Sequence, residues 1–274
     1  MTATPGVAVV TGAGRGIGRA VVWRLAADGW AVVASDGGGL GDLEALLGYR
    51  LGDKDDLAAT VAGAPAGSRV CAVPADVRDP AAVTLVADEA AARFGGLDVA
   101  VAAAGVIAGG APLWATPPAV LEALLAVNVA GVANLACCAV PELLRRPKPR
   151  QGRFIAVASA AAHRGLYHLA AYSASKAACV GLVRGLAADL RGTGITANVV
   201  SPGSTQTAML RRTAELFGLP GPEIFAEHAL LERLLEPEEV AAVVSFLCGG
   251  DSAALTGTVL AADAGFAEHA GVTA

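Results

Sequence analysis

Short apolar runs alternate with helical segments along the whole 274-residue chain. The first run, Val7–Val10, leads into a glycine-rich turn, and apolar residues then recur from Ile17 to Leu25 at the spacing of one helical face. Six further strands are predicted at 31–35, 70–73, 97–103, 154–158, 196–200 and 258–261. Repeated β-α units of this kind fold into a parallel sheet with helices on both faces. The predicted fold is therefore a single α/β domain with a doubly wound, seven-stranded parallel sheet.

The composition fits such a sheet. Apolar residues make up 54% of the chain and aromatic residues only 4%, so the core must be built from Ala, Val and Leu. Strands that are buried on both faces have continuous apolar runs of this kind. A formal net charge of −5, spread along the chain, leaves no basic patch for nucleic acid or an anionic membrane. A small anionic ligand must then be held by local backbone geometry.

The cysteines and the N-terminal residues show no pattern of a secreted or membrane protein. An odd number of cysteines, all within predicted strands or helices, argues against a disulfide framework and favours buried side chains. They are Cys71, Cys137, Cys138, Cys179 and Cys248. Met1–Pro5 contains no basic stretch, and glycines and Pro112 interrupt the uncharged segment 99–115, which disfavours a spanning helix. We expect a cytoplasmic protein without a membrane partner.

The turn after the first strand reads Thr11-Gly12-x-x-x-Gly16-x-Gly18. A strand, a glycine-rich turn and a helix N-terminus together present backbone N–H groups to a pyrophosphate, and only glycine lets the phosphate approach closely. This arrangement predicts a Rossmann-type dinucleotide site. The residues predicted to bind the dinucleotide here are Gly12, Arg15, Gly16, Ile17 and Gly18. A tight structural turn is the alternative interpretation.

A carboxylate ends the second predicted strand. Asp36 lies eighteen residues beyond Gly18, where it can accept hydrogen bonds from ribose hydroxyls and repel a 2′-phosphate. This favours NAD over NADP, although Arg15 could pair with such a phosphate. A turn or helix-cap role is the alternative for Asp36. Asp76 and Val77 follow the third strand, where they either contact the adenine or form a plain turn.

Three polar residues form a second constellation. Tyr172 and Lys176 lie four residues apart and so share one face of a predicted helix, and Ser159 ends the fifth strand. A phenol with an ordinary pKa of about 10 is a poor base at neutral pH, but an adjacent cation favours the phenolate. The pattern predicts that Tyr172 exchanges a proton with an alcohol or ketone whose oxygen is held by Ser159.

With these motifs the sequence resembles the short-chain dehydrogenase/reductase family over essentially its whole length. The matching residues, besides the glycine turn, are Asp76, Ala103-Ala104-Gly105, Asn128, Ser159, Tyr172-x-x-x-Lys176, Pro202-Gly203, Thr207 and Asp263. The resemblance implies an NAD(H)-dependent oxidoreductase in which Asn128 holds a proton-relaying water and Lys176 also binds the nicotinamide ribose. It further implies cofactor contacts from Ala103, Ala104, Gly105, Tyr172, Pro202, Gly203, Thr205 and Thr207. From the residues alone, Asn128 is equally a polar residue that kinks a helix.

Two motifs depart from the family pattern. The usual Asn-Asn-Ala-Gly after the fourth strand is Ala102-Ala103-Ala104-Gly105 here, which removes side-chain hydrogen bonds that brace that turn. The usual Asp-Gly-Gly near the C-terminus is Asp263-Ala264-Gly265. Neither change touches the catalytic set, which is Asn128, Ser159, Tyr172 and Lys176.

More specifically, the chain resembles the mycofactocin-associated branch of the family. The resemblance rests on the stretches A-V-A-A-A-G-V-I-A-G-G, V-A-S-A-A-A-H-R-G-L and V-S-P-G-S-T-Q-T-A-M-L and on an extra segment, 37–67. It implies a tightly held NAD that is reoxidised by the redox carrier mycofactocin. The extra segment is helical in character and is predicted to emerge beside the adenosine as a cover. A solvated surface insertion is the alternative.

The substrate is predicted to be a hydrophobic secondary alcohol or ketone. The residues predicted to contact it are Ser159, His163, Leu166, Tyr172 and Met209. Its apolar rim is predicted to contain Trp114, Leu166, Leu210 and Phe217. The segment 205–235 resembles the substrate-covering region of the family. No His or Cys pair has the spacing of metal ligands, so no metal site is expected.

Two alternatives remain open on the sequence. One is an NADPH-dependent oxoacyl or ketone reductase, and the other is a non-catalytic NAD(H)-sensing protein on the same fold. Such sensors commonly lose the tyrosine or the lysine, and this chain keeps Tyr172 and Lys176. The predicted helix 117–144 and the helix that carries Tyr172 are more apolar than one sheet face requires. For that reason, and by family resemblance, we expect a homotetramer.

Overall fold

Parallel strands form one sheet in the computed structural model, which describes residues 6–37 and 40–266. The strands are β1 (Val7–Thr11), β2 (Ala31–Ser35), β3 (Arg69–Ala72), β4 (Val99–Ala102), β5 (Arg153–Val157), β6 (Thr196–Pro202) and β7 (Val259–Ala262). Their order is β3-β2-β1-β4-β5-β6-β7, and every neighbouring pair is parallel. This confirms the predicted seven-stranded sheet. Met1–Pro5 and residues 38 and 39 of the extra segment lie outside the described residues.

Helices cover both faces of this sheet. In the described part of the chain they are α1 (Gly16–Ala27), α2 (Gly41–Leu47), α3 (Lys54–Ala62), α4 (Pro80–Phe94), α5 (Pro118–Leu125), α6 (Gly131–Arg145), α7 (Ala170–Asp189), α8 (Ala208–Leu216) and α9 (Pro237–Cys248). On one face, α1 and α9 bury Leu25 and Leu247 completely. On the other, α4, α6 and α7 contribute Val86, Leu135 and Val183 to the core. The burial of both faces explains why the strands are apolar throughout.

The strand order reverses between β1 and β4. Because β1 pairs with β2 on one side and with β4 on the other, the connections that follow β1 and β4 leave in opposite directions. In open α/β sheets, ligands bind outside the carboxyl ends of the strands at this point. Thr11 and Ala102 are paired at that edge, so the glycine turn and the turn Ala103–Gly105 begin side by side.

The predicted helix 117–144 is interrupted. It consists of α5, a π-helical turn at Ala126–Ala130, and α6. Asn128 lies in the π-helical turn, where its amide exchanges hydrogen bonds with the Val106 backbone and donates to the Ser175 hydroxyl. These buried bonds stabilise the wider turn, and π-helical turns inside α-helices occur frequently at functional sites. Helical periodicity alone does not reveal such a turn, because the flanking residues keep the same apolar face.

By length and composition alone, the helix Pro118–Arg145 is long and apolar enough to cross a membrane. In the structure, 50% of its most apolar stretch is buried inside the protein. Its second half, α6, packs against α4 and against β4 and β5. Packing in the protein core therefore accounts for much of its apolar character.

The cysteines are free thiols in different environments. Cys179 and Cys248 are buried, Cys71 and Cys138 are partly buried, and Cys137 is exposed. The prediction that these side chains are buried is confirmed for Cys179 and Cys248 and is wrong for Cys137. Cys137 lies on α6 next to Cys138, and the apolar residues around it in the sequence hide the fact that it points away from the sheet.

Ala264 occupies a position where the family pattern has glycine, and its φ is 55°. A β-carbon in this left-handed region costs roughly 1–2 kcal/mol. We expect Ala264→Gly to raise the free energy of unfolding by about 1 kcal/mol, after subtraction of the greater freedom of glycine in the unfolded chain. Urea denaturation measures the change. Ala253→Gly is the matched control, because Ala253 is exposed with a helical φ of −58°, and it should lower stability. A decrease in both variants would contradict the prediction.

Candidate active site

The predicted catalytic residues Ser159, Tyr172 and Lys176 line one cavity of about 390 Å³ at the carboxyl edge of the sheet. Ser159 follows β5 and begins a short 3-10 turn, where its Oγ accepts a hydrogen bond from the Ala161 N–H at 3.2 Å. Tyr172 and Lys176 lie one turn apart on α7 and are only 6% and 4% exposed. The structure therefore brings together the trio that the sequence predicted.

Burial dominates the ionisation of Tyr172. It raises the pKa of Tyr172 to about 12, and hydrogen bonding to the Ser159 side chain opposes the shift. The Lys176 ammonium lies 6.0 Å from the centre of the Tyr172 ring and donates to the Val157 carbonyl at 3.1 Å. Burial also lowers the pKa of Lys176. The direction for Tyr172 is opposite to the one expected from its spacing to Lys176, because burial is the largest cause of the shift and disfavours the phenolate.

Asn128 and Gly105 lie beside Lys176. The Asn128 Oδ1 accepts from the Val106 N–H at 2.9 Å and its Nδ2 donates to the Val106 carbonyl at 3.0 Å, which fixes the chain just after Gly105. A β-carbon on Gly105 would lie 3.2 Å from Lys176 Nζ and 3.3 Å from Asn128 Oδ1. Asn128 thus braces the turn after β4, where this chain lacks the asparagines usual in the family. The water-holding role that the resemblance implies for Asn128 stays a prediction.

The glycine turn has the shape that a pyrophosphate requires. Gly12 has a φ of +68°, and a β-carbon there would lie 2.5 Å from the Ala104 backbone. A β-carbon on Gly18 would collide with the Gly12 carbonyl oxygen. The N-terminus of α1 has no side-chain cap and no acidic residue in its first turn. Its N–H groups and the positive end of its dipole therefore fit an anionic dinucleotide.

Asp36 organises the glycine turn. Its Oδ2 accepts from the Gly14 N–H at 2.6 Å and its Oδ1 from the Gly37 N–H at 2.8 Å. Burial raises the pKa of Asp36, and the two backbone N–H groups oppose that shift. The turn-forming role considered for Asp36 is therefore present, and Asp36 also lines the cavity with capacity for further hydrogen bonds. Arg15 donates to the Arg50 carbonyl at 2.6 Å, which ties the glycine turn to the extra segment.

Asp76 is held by a neighbour in its own turn. Its carboxylate accepts from the Arg78 backbone N–H at 2.9 Å and pairs with the Arg78 guanidinium, which also reaches Asp42 at 2.8 Å. The carbonyl of Val77 accepts from Asn134 Nδ2 at 2.8 Å. These bonds support the plain-turn alternative for Asp76, although Asp76 and Val77 also line the cavity.

Almost all of the predicted ligand contacts line the same cavity. Besides the residues already placed there, they are Gly12, Arg15, Gly16, Ile17, Gly18, Ala103, Ala104, Gly105, Leu166, Pro202, Gly203, Thr205, Thr207, Met209, Leu210 and Phe217. Two predictions on the substrate side receive no support. His163 is exposed and does not line the cavity, and Trp114 is 89% exposed and does not line it either. His163 ends the 3-10 turn after Ser159, and its side chain is exposed.

Sequence reasoning missed several aromatic residues that line the cavity. They are Tyr49, Phe225, His228 and Phe266. His228 contacts the rings of Phe225 and Phe266, with ring centres 6.4 Å and 6.3 Å away. Phe225 and His228 fall within the predicted covering region, but nothing in their spacing marks them. For Tyr49, the available signal was a lone aromatic ring in a largely polar and aliphatic insertion.

Comparisons with known proteins agree with this geometry. The family model described as enoyl-(acyl carrier protein) reductase matches residues 12–267. Among curated relatives, the chain is 34% identical over 262 residues to cis-4-hydroxycyclohexanecarboxylate dehydrogenase of Sinomonas cyclohexanicum, with 95% of this chain and 96% of the relative covered.

Solved structures show the same relationship. A double mutant of a Serratia marcescens short-chain dehydrogenase/reductase has a TM-score of 0.83 at 32% identity, covering 97% of this chain and 100% of that one. A 3-ketoacyl-(acyl-carrier-protein) reductase from Brucella melitensis, complexed with NADH, has a TM-score of 0.82 at 26% identity and covers 96% of this chain and 98% of that one. Together with the trio in the cavity, these matches show that the chain belongs to the short-chain dehydrogenase/reductase family, whose members are oxidoreductases that act on hydroxyl or keto groups.

Proposed function

We propose that the protein is an NAD(H)-dependent oxidoreductase that interconverts a hydrophobic secondary alcohol and its ketone, with Tyr172 as the general acid/base. The observation that carries the proposal is that Ser159, Tyr172 and Lys176 share one cavity with the uncapped N-terminus of α1 and with Asp36. A nicotinamide dinucleotide, when bound there, accepts or supplies the hydride. The protein itself must then supply a general acid/base and a hydrogen bond to the substrate oxygen, and it must exclude water.

The position of each side chain indicates which of these tasks it performs. Ser159, at the end of β5, orients the substrate oxygen through its hydroxyl. Tyr172 holds the proton at its phenol oxygen, and the charge of Lys176 lowers the cost of forming the phenolate. Lys176 also binds the nicotinamide ribose, and Asn128 holds the water that connects Lys176 to solvent. The two last roles rest on the family resemblance.

Asp36 supports NAD as the cofactor. A carboxylate at the end of β2 accepts hydrogen bonds from the adenosine ribose and repels a 2′-phosphate. The competing signal, Arg15, is bonded to the Arg50 carbonyl, which reduces its availability to such a phosphate. The Brucella melitensis reductase with this fold was solved with NADH. The NADPH-dependent alternative is thereby less well supported.

The substrate side of the cavity is largely apolar. Leu166 lines it after β5, and Met209, Leu210 and Phe217 line it from α8 and the residue after it. The Sinomonas cyclohexanicum relative is a dehydrogenase of a ring-bound secondary alcohol. We propose a cyclic, hydrophobic secondary alcohol as the substrate class. Segment 205–235 covers this side.

The extra segment supports tight retention of NAD. Leu40, Leu43, Leu51 and Gly52 line the cavity, so this segment forms one of its walls and is not merely a solvated insertion. It is bonded to the glycine turn through Arg15. We propose that it covers the cofactor and that mycofactocin, a carrier that accepts electrons without cofactor exchange, reoxidises the bound NADH.

The proposed assembly and location rest on the family resemblance. Leu125 on α5 and Leu144 on α6 are 38% and 36% exposed on the helix that the sequence marked as unusually apolar. A second copy of the chain would cover them. We propose a homotetramer located in the cytoplasm.

The cofactor content of the purified protein tests these proposals. We expect the protein to carry NAD(H) through gel filtration, and heat release to yield NAD(H) and not NADP(H). A cyclic secondary alcohol such as cis-4-hydroxycyclohexanecarboxylate should reduce the bound cofactor, measured as NADH absorbance.

Asp36→Asn is the matched variant, in which the NADP(H) to NAD(H) affinity ratio should rise about tenfold because the charge is lost. Complete cofactor loss on buffer exchange contradicts tight retention, and bound NADP(H) alone contradicts the choice of NAD.

A further inference from the structure

Tyr49 reaches from the extra segment into the active-site cavity. It follows α2 after Gly48, whose φ of 71° turns the chain back towards the sheet. The Tyr49 ring is partly buried and lines the same cavity as Tyr172. Its hydroxyl oxygen accepts a hydrogen bond from the Ile107 N–H at 3.0 Å. The phenol thus connects the extra segment with the turn after β4.

The hydroxyl proton of Tyr49 has no acceptor among residues 6–37 and 40–266. A phenol has one proton and can accept as well as donate, and the bond from Ile107 uses only its accepting capacity. Burial raises the pKa of Tyr49 to about 12, so the proton is present at neutral pH. A donor in a partly buried site normally finds a partner. Because Tyr49 lines the cavity, a ligand bound there can supply the acceptor.

Three observations place Tyr49 at the catalytic end of the cavity. Ile107 lies two residues beyond Gly105, whose β-carbon position is 3.2 Å from Lys176 Nζ. Asn128 fixes Val106 between them. The charge of an ionised Tyr172 is close enough to contribute to the raised pKa of Tyr49.

Arg212 of α8 orients the Tyr49 ring. Its guanidinium lies over the ring, 5.7 Å from the ring centre, and donates to the Leu47 carbonyl at 3.0 Å. The ring is therefore held between α8 and the end of α2, while its oxygen is held by Ile107. A phenol fixed at both ends presents its hydroxyl in one position, which is the condition for a specific hydrogen bond.

We propose that Tyr49 donates a hydrogen bond to an oxygen of the bound dinucleotide at its nicotinamide end. This rests on the proposed function, because it takes the dinucleotide as the ligand. Leu43 and Leu51, the neighbours of Tyr49 in the extra segment, line the cavity, and Arg15 ties this segment to the glycine turn. The extra segment therefore lies next to the proposed dinucleotide site. The extra segment then does more than cover the cofactor, because it supplies a polar contact next to the reacting end.

Tyr49→Phe tests the proposal, since it removes the hydroxyl and keeps the ring under Arg212. The measurements on protein freed of its bound cofactor are the dissociation constants of NADH and of ADP, which lacks the nicotinamide end. The measurement on the cofactor-loaded protein is the KM of the alcohol with an artificial electron acceptor. We expect the NADH dissociation constant to rise about tenfold, the equivalent of ~1.4 kcal/mol, with the ADP constant and the KM unchanged. Tyr167→Phe is the control, because Tyr167 lines the cavity but is 76% exposed, and it should leave all three values unchanged.

Each other outcome overturns the proposal. Equal weakening of NADH and ADP would show that Tyr49 only supports the extra segment. A raised KM with an unchanged NADH constant would assign the hydroxyl to the substrate. If both dissociation constants and the KM are unchanged, the Tyr49 hydroxyl donates to solvent and not to a ligand. The proposed function fails separately, when the unsubstituted protein binds NADPH in preference to NADH or binds neither.

Discussion

Tyr172→Phe should lower kcat for alcohol oxidation by about 10³-fold, because the ring stays in place and the phenol that is proposed to take the substrate proton is removed. Tyr172 is 6% exposed, and its hydroxyl is next to the Ser159 side chain. The phenylalanine variant should fold normally and bind NADH with an unchanged dissociation constant, since the glycine turn and Asp36 are untouched. Steady-state kinetics with a cyclic secondary alcohol and an artificial electron acceptor measure kcat, and an NADH titration of protein freed of its bound cofactor measures the dissociation constant.

The comparison with Tyr167→Phe makes this result specific. Tyr167 lines the same cavity, but it lies on the rim and stacks on His168, with ring centres 3.7 Å apart. Its hydroxyl has no part in the mechanism, so kcat should change by less than about twofold. Undiminished turnover in Tyr172→Phe would contradict the assigned role. NADH binding by an unsubstituted protein that turns over no alcohol or ketone would instead favour the sensing protein considered from the sequence.

Much of the fold could be predicted because it depends on patterns local to each element. The strands are marked by short apolar runs, and β2 begins and ends at the predicted residues, Ala31 and Ser35. Repeated β-α units then leave few topologies open, because crossovers between parallel strands have one hand. The carboxyl ends of β1 and β5 follow from the same reasoning, and they position the glycine turn and Ser159.

The features that escaped prediction depend on contacts between distant segments. The π-helical turn at Asn128 is stabilised by Val106 and Ser175, and neither is near Asn128 in the sequence. Tyr49 meets Ile107 across 58 positions of the chain. Residue spacing within the sequence does not predict a contact between an aromatic ring in an insertion and a distant loop.

The pKa of Tyr172 illustrates a third limit. The helical spacing of Tyr172 and Lys176 correctly indicated that the two groups are neighbours, but burial sets the direction of the shift. Burial is a property of the assembled core, to which β5, α7 and the extra segment all contribute. A sequence can indicate which charges are close to a group more readily than it can indicate how much water remains around it.

The pH dependence of a Lys176 variant follows from the opposing effects of burial and of a neighbouring charge on the pKa of Tyr172. Alcohol oxidation requires the Tyr172 phenolate, so kcat/KM rises with pH until the pH passes the pKa of Tyr172, and then levels off. Burial raises that pKa to about 12 against the hydrogen bond from Ser159. The positive charge of Lys176, 6.0 Å from the ring centre, favours the phenolate as long as Lys176 stays protonated, and burial lowers the pKa of Lys176 as well. At an effective dielectric constant of about 20, a charge at this distance contributes about 3 kcal/mol, or roughly two pH units.

Lys176→Met should therefore move the rise in kcat/KM to higher pH by at least about one unit and lower the rate near neutral pH by about 10²-fold. Lys176→Arg is the matched control, because it keeps the charge, and its profile should stay closer to that of the unsubstituted protein. The measurement is the pH profile of protein whose cofactor site is fully occupied, since Lys176 is also proposed to bind the cofactor and a weaker cofactor interaction lowers the rate without moving the profile. A methionine variant with a slower rate but an unmoved profile would show that Lys176 positions the ligand and does not set the ionisation of Tyr172.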